Sequence, residues 1–285
     1  MSTLLTIAKI AKANKLAQLI ITEPIRNNEV FNKKHFEKYI IDEVIKGKRR
    51  ILTLTKSKKY KSHIIFLHGG AFTDEAIILH RIFIQKILDK YETKVTFIDY
   101  PLTPECNYKA IQSFTLDAIE DLKIRYNNDK FYFMGDSSGG GLAVTMLQIL
   151  NKRNITINKT VLLSPWVDVS MNNPDIEKHL NKDFTLNFDN LIKCGISYAD
   201  TLKTNDPKVS PLYGNLSNMG KLLIYVSDNE LLYPDILKFH ELVNKNKNSS
   251  SKLIIGKKLC HDYPLLIIIV TSGIIKEMLD FLIEE

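Results

Sequence analysis

Short apolar runs alternate with longer amphipathic stretches along most of the chain. Runs such as 63–67 and 95–98 are rich in β-branched and aromatic residues, and the stretches at 75–91 and 108–126 show helical spacing. The alternation continues with strands predicted at 131–134, 160–163, 222–226 and 252–255 and helices predicted at 139–150, 234–243 and 265–282. Near-continuous apolar strands between helices predict an α/β fold, in which helices cover both faces of a mostly parallel sheet.

Two regions depart from this alternation. Residues 1 to about 48 look helical, and residues 170–220 form a long interruption that contains a helical pattern at 188–202. A structureless loop of that length is uncommon inside a compact domain. We therefore predict an N-terminal helical cap segment at 1–48 and a main α/β domain at 49–285, with a second cap segment inserted at about 170–220.

The composition is that of a globular protein. The 285 residues are 45% hydrophobic, which is enough for one large core. Lysine and arginine outnumber aspartate and glutamate by 39 to 32, but the charges are spread along the chain, so we expect no nucleic-acid partner. The three cysteines, Cys106, Cys194 and Cys260, match neither a disulfide framework nor a zinc site, which indicates a reducing compartment and favours a cytoplasmic location.

The N-terminal segment has an apolar face and a basic face. Lys9, Lys12 and Lys15 interrupt its apolar residues, so a signal peptide is not predicted, and no run reaches the roughly 18 apolar residues of a transmembrane helix. This pattern is typical of a helix that closes over a pocket. Weak contact with a membrane surface is the alternative, and a homodimer also stays open.

A glycine–x–serine–x–glycine turn at residues 135–139 carries the candidate chemistry. The apolar strand at 131–134 runs into this turn and a helical pattern follows it. Such a tight turn holds its central residue in a strained conformation and exposes it, so Ser137 is the candidate nucleophile. The pentapeptide alone is a weak signal, since it occurs by chance in about one chain in ten of this length.

A serine nucleophile needs a base, a carboxylate that orients the base, and N–H donors for the developing oxyanion. His261 follows the last predicted strand and is the candidate base. The loop after strand 222–226 carries three carboxylates, of which Asp235 is interpreted as a charge at the start of a helix. Asp228 and Glu230 remain as candidate acids.

These motifs resemble those of the hormone-sensitive lipase branch of the α/β-hydrolases, a family of serine carboxylesterases. Residues 68–71 (His-Gly-Gly-Ala) resemble its His-Gly-Gly-Gly motif, residues 99–105 resemble its Asp-Tyr-Arg-Leu-Ala-Pro-Glu segment, and residues 135–140 resemble its Gly-Asp-Ser-Ala-Gly-Gly turn. Residues 163–168 and 210–212 resemble family segments on either side of the cap. The resemblance extends from about residue 64 to the C-terminus.

The resemblance implies an α/β-hydrolase fold with a small helical cap and a triad of Ser137, His261 and Glu230, because the register of the family's acid motif selects Glu230. It also implies that the backbone N–H groups of Gly70, Ala71 and Ser138 form the oxyanion hole, with His68 bracing the loop. Ala71 stands where the family usually has glycine. We therefore expect a negative φ at Ala71, or strain that is supported by other contacts.

The expected function is that of a serine carboxylesterase that hydrolyses short-chain acyl esters through an acyl-enzyme intermediate. Its expected partner is a small-molecule ester, with no cofactor and no metal. An amidase or a deacetylase would use the same residues, and the sequence does not separate these activities. A catalytically inactive small-molecule binder is another alternative, although the presence of His261 favours the enzyme.

Overall fold

One sheet of eight strands forms the centre of the molecule. The structure is a computed structural model that describes residues 29–267 and 273–284. The strands are β1 (Ile40–Lys46), β2 (Arg49–Thr55), β3 (Ser62–Leu67), β4 (Thr93–Ile98), β5 (Phe131–Asp136), β6 (Lys159–Leu163), β7 (Gly220–Ser227) and β8 (Ser249–Gly256). Their order in the sheet is β1–β2–β4–β3–β5–β6–β7–β8. The pairs β1/β2 and β2/β4 are antiparallel, and all other neighbours are parallel.

Helices connect most of the strands. In the described part of the chain the α-helices are α1 (Ile78–Lys90), α2 (Tyr108–Arg125), α3 (Ser137–Lys152), α4 (Phe188–Ala199), α5 (Tyr233–Lys245), α6 (Tyr263–Ile267) and α7 (Gly273–Ile283). Short 3₁₀ helices lie at Lys33–His35, Pro174–His179 and Pro211–Tyr213. None of the helices within 29–267 and 273–284 combines the length and the apolar character of a membrane-crossing segment.

Hydrophobic cores lie on both faces of the sheet. Ile64 and Phe66 of β3 pack on the face that α1 and α7 cover, whereas Ile65 and Leu67 pack on the face that α2, α3 and α5 cover. Since successive side chains of a strand point to opposite faces, a strand with two covered faces is expected to be mostly apolar. β3, β4 and β5 are buried along their whole length. The predicted α/β architecture is thus confirmed.

The predicted helical character of residues 1–48 is wrong at its C-terminal end. Ile40–Lys46 is the edge strand β1, which forms a hairpin with β2 through a turn at Gly47, where φ is +64°. Three isoleucines and a valine make this segment favourable for a strand. The boundary proposed at residue 48 falls within the turn, and residues 1–28 of the proposed N-terminal cap segment lie outside the described residues.

The C-terminal helix predicted at 265–282 corresponds to two helices, α6 and α7, and residues 268–272 between them lie outside the described residues. The other predicted helices and strands are present, and their ends differ by a few residues. This is the usual uncertainty of boundaries that are read from a pattern.

The segment between β6 and β7 contains the predicted interruption. It carries α4, which confirms the helical pattern at 188–202, and two of the 3₁₀ helices. Near its middle, Thr185 Oγ1 accepts a hydrogen bond of 3.2 Å from the backbone N–H of His261, and Asp183 Oδ2 accepts one of 2.9 Å from that of Leu231. The inserted segment therefore lies against the loops that follow β7 and β8.

Parallel pairing brings the C-terminal ends of six strands to one edge of the sheet. Leu67 of β3 pairs with Gly135 of β5, and Ser227 of β7 pairs with Gly256 of β8. The loops after β3, β4, β5, β6, β7 and β8 therefore emerge at the same edge. In open parallel sheets this edge is where ligands bind.

Phe133→Ala should lower the free energy of unfolding by about 3–5 kcal/mol, because removal of a buried ring leaves a cavity. Phe133 lies in β5 and is 0% exposed. The matched control is Ile124→Ala on α2, whose residue is 77% exposed and should change stability by less than about 0.5 kcal/mol. Urea unfolding measures both values, and equal losses would contradict this placement of the core.

Candidate active site

Ser137 lies at the sharp turn from β5 into α3. Its φ is +50°, and its carbonyl oxygen accepts a 2.8 Å hydrogen bond from the backbone N–H of Trp166. A Cβ on residue 139 would lie 2.2 Å from the carbonyl oxygen of Leu67, so glycine at position 139 lets the start of α3 approach the end of β3. Ser137 Oγ makes no hydrogen bond to any residue within the described ranges, which leaves the hydroxyl free to react.

His261 and Glu230 meet at the same edge of the sheet. His261 Nδ1 lies 2.7 Å from Glu230 Oε2. Glu230 is 0% exposed, and its other carboxylate oxygen accepts hydrogen bonds of 2.7 Å from Ser164 Oγ and from the backbone N–H of Ser227. These donors stabilise the charged form of a carboxylate that burial would otherwise disfavour. The carboxylate in turn orients the imidazole ring.

The other two carboxylates of this loop have different partners. Asp228 accepts a hydrogen bond of 2.7 Å from the backbone N–H of Lys258 and lies 3.4 Å from Lys257 Nζ. Asp235 lies in the first turn of α5, as predicted, and accepts a hydrogen bond from Asn173. Burial raises the pKa of Asp235 to about 6. Neither carboxylate contacts His261, so the structure brings Glu230 to the histidine.

A second carboxylate contacts His261 from the other side of its ring. Asp262 Oδ2 lies 3.1 Å from His261 Nε2. Burial alone would lower the pKa of His261, but the carboxylates of Asp262 and Glu230 outweigh it and raise that pKa well above the ordinary value. Asp262 adopts a left-handed conformation, with φ at +51°, which turns its side chain back to the ring of its neighbour. Nothing in the sequence reveals this conformation.

The loop after β3 approaches Ser137 closely. A Cβ on residue 69 would lie 2.9 Å from the Cβ of Ser137, so only glycine fits at this position. The N–H of Gly69 is bound to Asp136 Oδ2 at 2.9 Å. By contrast, the N–H groups of three neighbouring residues have no acceptor among the residues that the structure describes. They are those of Gly70, Ala71 and Ser138.

The expectation of a negative φ at Ala71 is wrong, because its φ is +53°. The structure agrees with the second expectation, a strained backbone at Ala71 that other contacts support. Phe72, the next residue, also has a positive φ, and its N–H and C=O are bound to Ser138 Oγ at 3.2 Å and to the N–H of Thr103 at 2.8 Å. Its ring stacks on that of Tyr198, with 3.7 Å between the centroids. These contacts hold the loop in a conformation that alanine and phenylalanine rarely adopt.

His68 lies beneath the loop and does not reach its surface. Its ring stacks on Tyr100 with 4.4 Å between the centroids, and Tyr100 donates a hydrogen bond to the carbonyl oxygen of His68. Burial lowers the pKa of His68 to about 3, so the ring is neutral. The predicted bracing role agrees with this placement.

Two residues that the sequence did not single out for the site stabilise its carboxylates. His80 Nε2 lies 3.0 Å from Asp136 Oδ2, and its Nδ1 accepts a hydrogen bond from the N–H of Ile77, which places the ring proton on Nε2. Ser164, directly after β6, has a φ of +41° and donates to Glu230. The sequence assigns neither residue a role in catalysis. Two signals could have suggested Ser164, namely its position after a strand and its place in the segment 163–168, which resembles a family segment.

A family model described as the alpha/beta hydrolase fold matches residues 64–265. Among curated proteins, an esterase of Acinetobacter venetianus is 27% identical over 191 residues, which cover 65% of this chain and 63% of the relative. An acetyl-hydrolase of Streptomyces hygroscopicus is 26% identical over 60% of this chain and 58% of the relative. A triacylglycerol lipase of Mycobacterium tuberculosis is 25% identical over 61% of this chain and 36% of the relative. The chain therefore spans less than two thirds of the length of each relative.

Solved structures share the fold over almost the whole chain. The crystal structure of an esterase from the bacterial hormone-sensitive lipase family has a TM-score of 0.82 at 20% identity, and the match covers 97% of this chain and 98% of that one. The structure of the esterase EstE5 soaked with p-nitrophenyl butyrate has a TM-score of 0.80 at 21% identity, with coverage of 96% and 97%.

Ser164→Ala should lower the free energy of unfolding by about 1–3 kcal/mol, because it removes a donor from the buried carboxylate of Glu230. The change deletes only one oxygen, so lost packing contributes little. Ser250→Ala is the control, since that serine is exposed in β8 and should change stability by less than about 0.5 kcal/mol. Thermal and urea unfolding measure the difference. Equal stability of both variants would contradict the importance of this hydrogen bond.

Proposed function

The chain belongs to the alpha/beta hydrolase fold family, and we propose that it is a serine carboxylesterase that hydrolyses short-chain acyl esters. The observation that carries the proposal is the 2.7 Å contact between His261 Nδ1 and the buried carboxylate of Glu230, at the sheet edge where the turn after β5 presents Ser137. The names of the curated relatives (esterase, acetyl-hydrolase and triacylglycerol lipase) support the same class of reaction.

In the proposed reaction Ser137 Oγ attacks the carbonyl carbon of the ester, and its proton passes to His261 Nε2. Glu230 accepts the Nδ1 proton in a hydrogen bond and stabilises the imidazolium that forms. The tetrahedral intermediate collapses to an acyl-enzyme, and the alcohol leaves with the proton from Nε2. A water molecule then attacks the acyl group with the same base, which releases the acid and restores Ser137.

The oxyanion of each tetrahedral intermediate would bind to the N–H groups of Gly70, Ala71 and Ser138. Their lack of acceptors within the described ranges supports this role, because an N–H already bound elsewhere could not stabilise the developing charge. Each such donor is worth about 3 kcal/mol of transition-state stabilisation. The contacts of Phe72 and Gly69 fix the loop before substrate binds, so little reorganisation is needed.

The preference for short acyl chains is supported by the bulk beside the oxyanion loop. Phe72 directly follows Ala71, and its buried ring packs against the buried rings of Tyr198 and Trp166. The segment between β6 and β7 contains a single α-helix, α4, of 12 residues. A cover of this size suits an acyl group of a few carbons better than a long chain.

A cytoplasmic location also belongs to the proposal, and the free thiols of Cys106, Cys194 and Cys260 fit a reducing compartment. Burial raises the pKa of Cys260 to about 12, so this thiol beside His261 is not a nucleophile. Weak membrane contact and a homodimer stay predictions. The N-terminal segment whose pattern suggested membrane contact lies outside the described residues.

Glu230→Gln should lower kcat for p-nitrophenyl acetate by about 10⁴-fold with little change in KM, because the amide no longer stabilises the imidazolium. Asp228→Asn is the matched control, since it removes the same charge from the same loop and should keep nearly full activity. Steady-state kinetics measure both variants. Abolished turnover in Asp228→Asn, with an active Glu230→Gln, would assign the acid to residue 228 instead.

The acetyl and butyryl esters should be the best substrates in a series of p-nitrophenyl esters from about two to about 16 acyl carbons, because bulky rings pack beside the oxyanion loop and the segment between β6 and β7 carries a single α-helix. Ser137→Ala serves as the blank and should also lose covalent labelling by an organophosphate. An optimum for the longest chains would contradict the short-chain proposal. Stoichiometric labelling of Ser137→Ala would place the nucleophile elsewhere.

A further inference from the structure

The imidazole ring of His261 lies between two carboxylates. Glu230 Oε2 is 2.7 Å from Nδ1, and Asp262 Oδ2 is 3.1 Å from Nε2. In the proposed function only Nδ1 needs a carboxylate, because Nε2 has to accept the proton of Ser137. A carboxylate at Nε2 favours a proton on that nitrogen instead. The contact with Asp262 therefore acts against the basic form of the histidine.

We propose that Asp262 is a positioning residue that holds His261 as an imidazolium in the resting enzyme, so that hydrolysis requires loss of the Nε2 proton and becomes faster as the pH rises. This inference rests on the proposed function, and it adds a pH-dependent control to the same site. The triad alone does not imply such a control, because it contains one carboxylate rather than two.

The position of Asp262 is fixed by its backbone. Its N–H donates a hydrogen bond of 3.2 Å to Ser164 Oγ, the hydroxyl that itself donates to Glu230. The side chain of Asp262 is 14% exposed, and its Oδ1 is buried without a hydrogen-bond partner in the described part of the chain. The ring of His261 is thus the side-chain partner that compensates the charge of this carboxylate. Separation of the two would leave a buried charge unpaired.

Five titratable groups in the described ranges face Asp262 from the elements packed around it. They are His261 and Cys260 on its own segment, Glu230 after β7, Asp136 at the end of β5 and His80 on α1. Burial raises the pKa of Asp262, and the charges of Asp136 and Glu230 add to that rise. The positive ring of His261 opposes it and so favours the charged carboxylate. Cys260 stays neutral, because burial raises the pKa of its thiol.

The direction of the pH effect follows from the form of His261 that is active. Because the neutral ring is the base, kcat/KM should rise with pH and level off above the pKa of His261. That pKa is raised well above the ordinary value by Asp262 and Glu230, against the lowering effect of burial. Without the charge of Asp262, only Glu230 raises the pKa of His261 against the lowering effect of burial. The rise in activity should then occur at lower pH.

The test compares kcat/KM for p-nitrophenyl acetate between about pH 5 and about pH 10 in the full-length wild type, Asp262→Asn and Asp262→Gly. Asparagine and glycine both tolerate the left-handed backbone of residue 262, so at least one variant should fold normally. The midpoint of the rise should fall by at least about one pH unit. At a pH below the midpoints of both enzymes, the activity of the variant, as a fraction of its own plateau, should then exceed that of the wild type about tenfold or more.

Asp228→Asn is the control for loss of a negative charge near the site, and its profile should follow that of the wild type. Its carboxylate lies beside Lys257 and the backbone of Lys258, away from His261. Profiles of Asp262→Asn and Asp262→Gly that coincide with the wild type would overturn the inference. An equal shift in Asp228→Asn would also overturn it, because the effect would then be one of net charge.

Proton NMR separates this inference from the proposed function, since it needs no turnover. At about pH 7 the wild type should show two downfield imidazole N–H signals that His261→Gln removes, and Asp262→Asn should keep only the Nδ1 signal. Loss of the Nε2 signal in a protein that hydrolyses no ester at any pH would support the Asp262 contact and refute the esterase. Ester hydrolysis with both signals unchanged in Asp262→Asn would refute the inference alone.

Discussion

A carboxylate with no exposed surface is the constraint on which the site depends. Isolated in a protein interior, the charge of Glu230 would cost several kcal/mol, so its oxygens need donors. Those donors come from the ends of three different strands. Ser164 follows β6, Ser227 ends β7, and His261 follows β8. Because all three must meet one buried side chain, the requirement to satisfy its charge also determines how these loops lie against one another.

Asp136 imposes a similar constraint on the other side of the nucleophile. It ends β5, directly before Ser137, and its Oδ2 binds both the N–H of Gly69 and the ring of His80. The loop after β3 is thereby tied to the residue that precedes the nucleophile. One buried carboxylate thus fixes the oxyanion loop and the other fixes the base, so the geometry around Ser137 is largely formed before any ligand binds.

The sequence predicts the parts of the site that depend on chain order. Once β5 and β7 are recognised as parallel strands, Ser137 and Glu230 have to lie at the same edge, and His261 follows from the strand after them. Ser164, His80 and Asp262 were not predicted as parts of the site, because each acts through one long-range contact or one φ value. The helical prediction for β1 was wrong because an exposed edge strand lacks the continuous apolar character of the central strands.

Backbone strain is concentrated where these contacts meet. Five residues other than glycine adopt φ values between +41° and +61° around the candidate site, namely Ser137, Ala71, Phe72, Ser164 and Asp262. Three of the remaining residues of this kind in the described ranges are asparagines, which tolerate the conformation. Each strained residue costs about 1–2 kcal/mol, so the conformations persist only because the surrounding contacts stabilise them. Such a concentration is typical of a site whose side chains must point where a relaxed backbone would not direct them. Asp262 belongs to this group, which indicates that its contact with His261 is a built feature of the fold rather than a chance approach of neighbours.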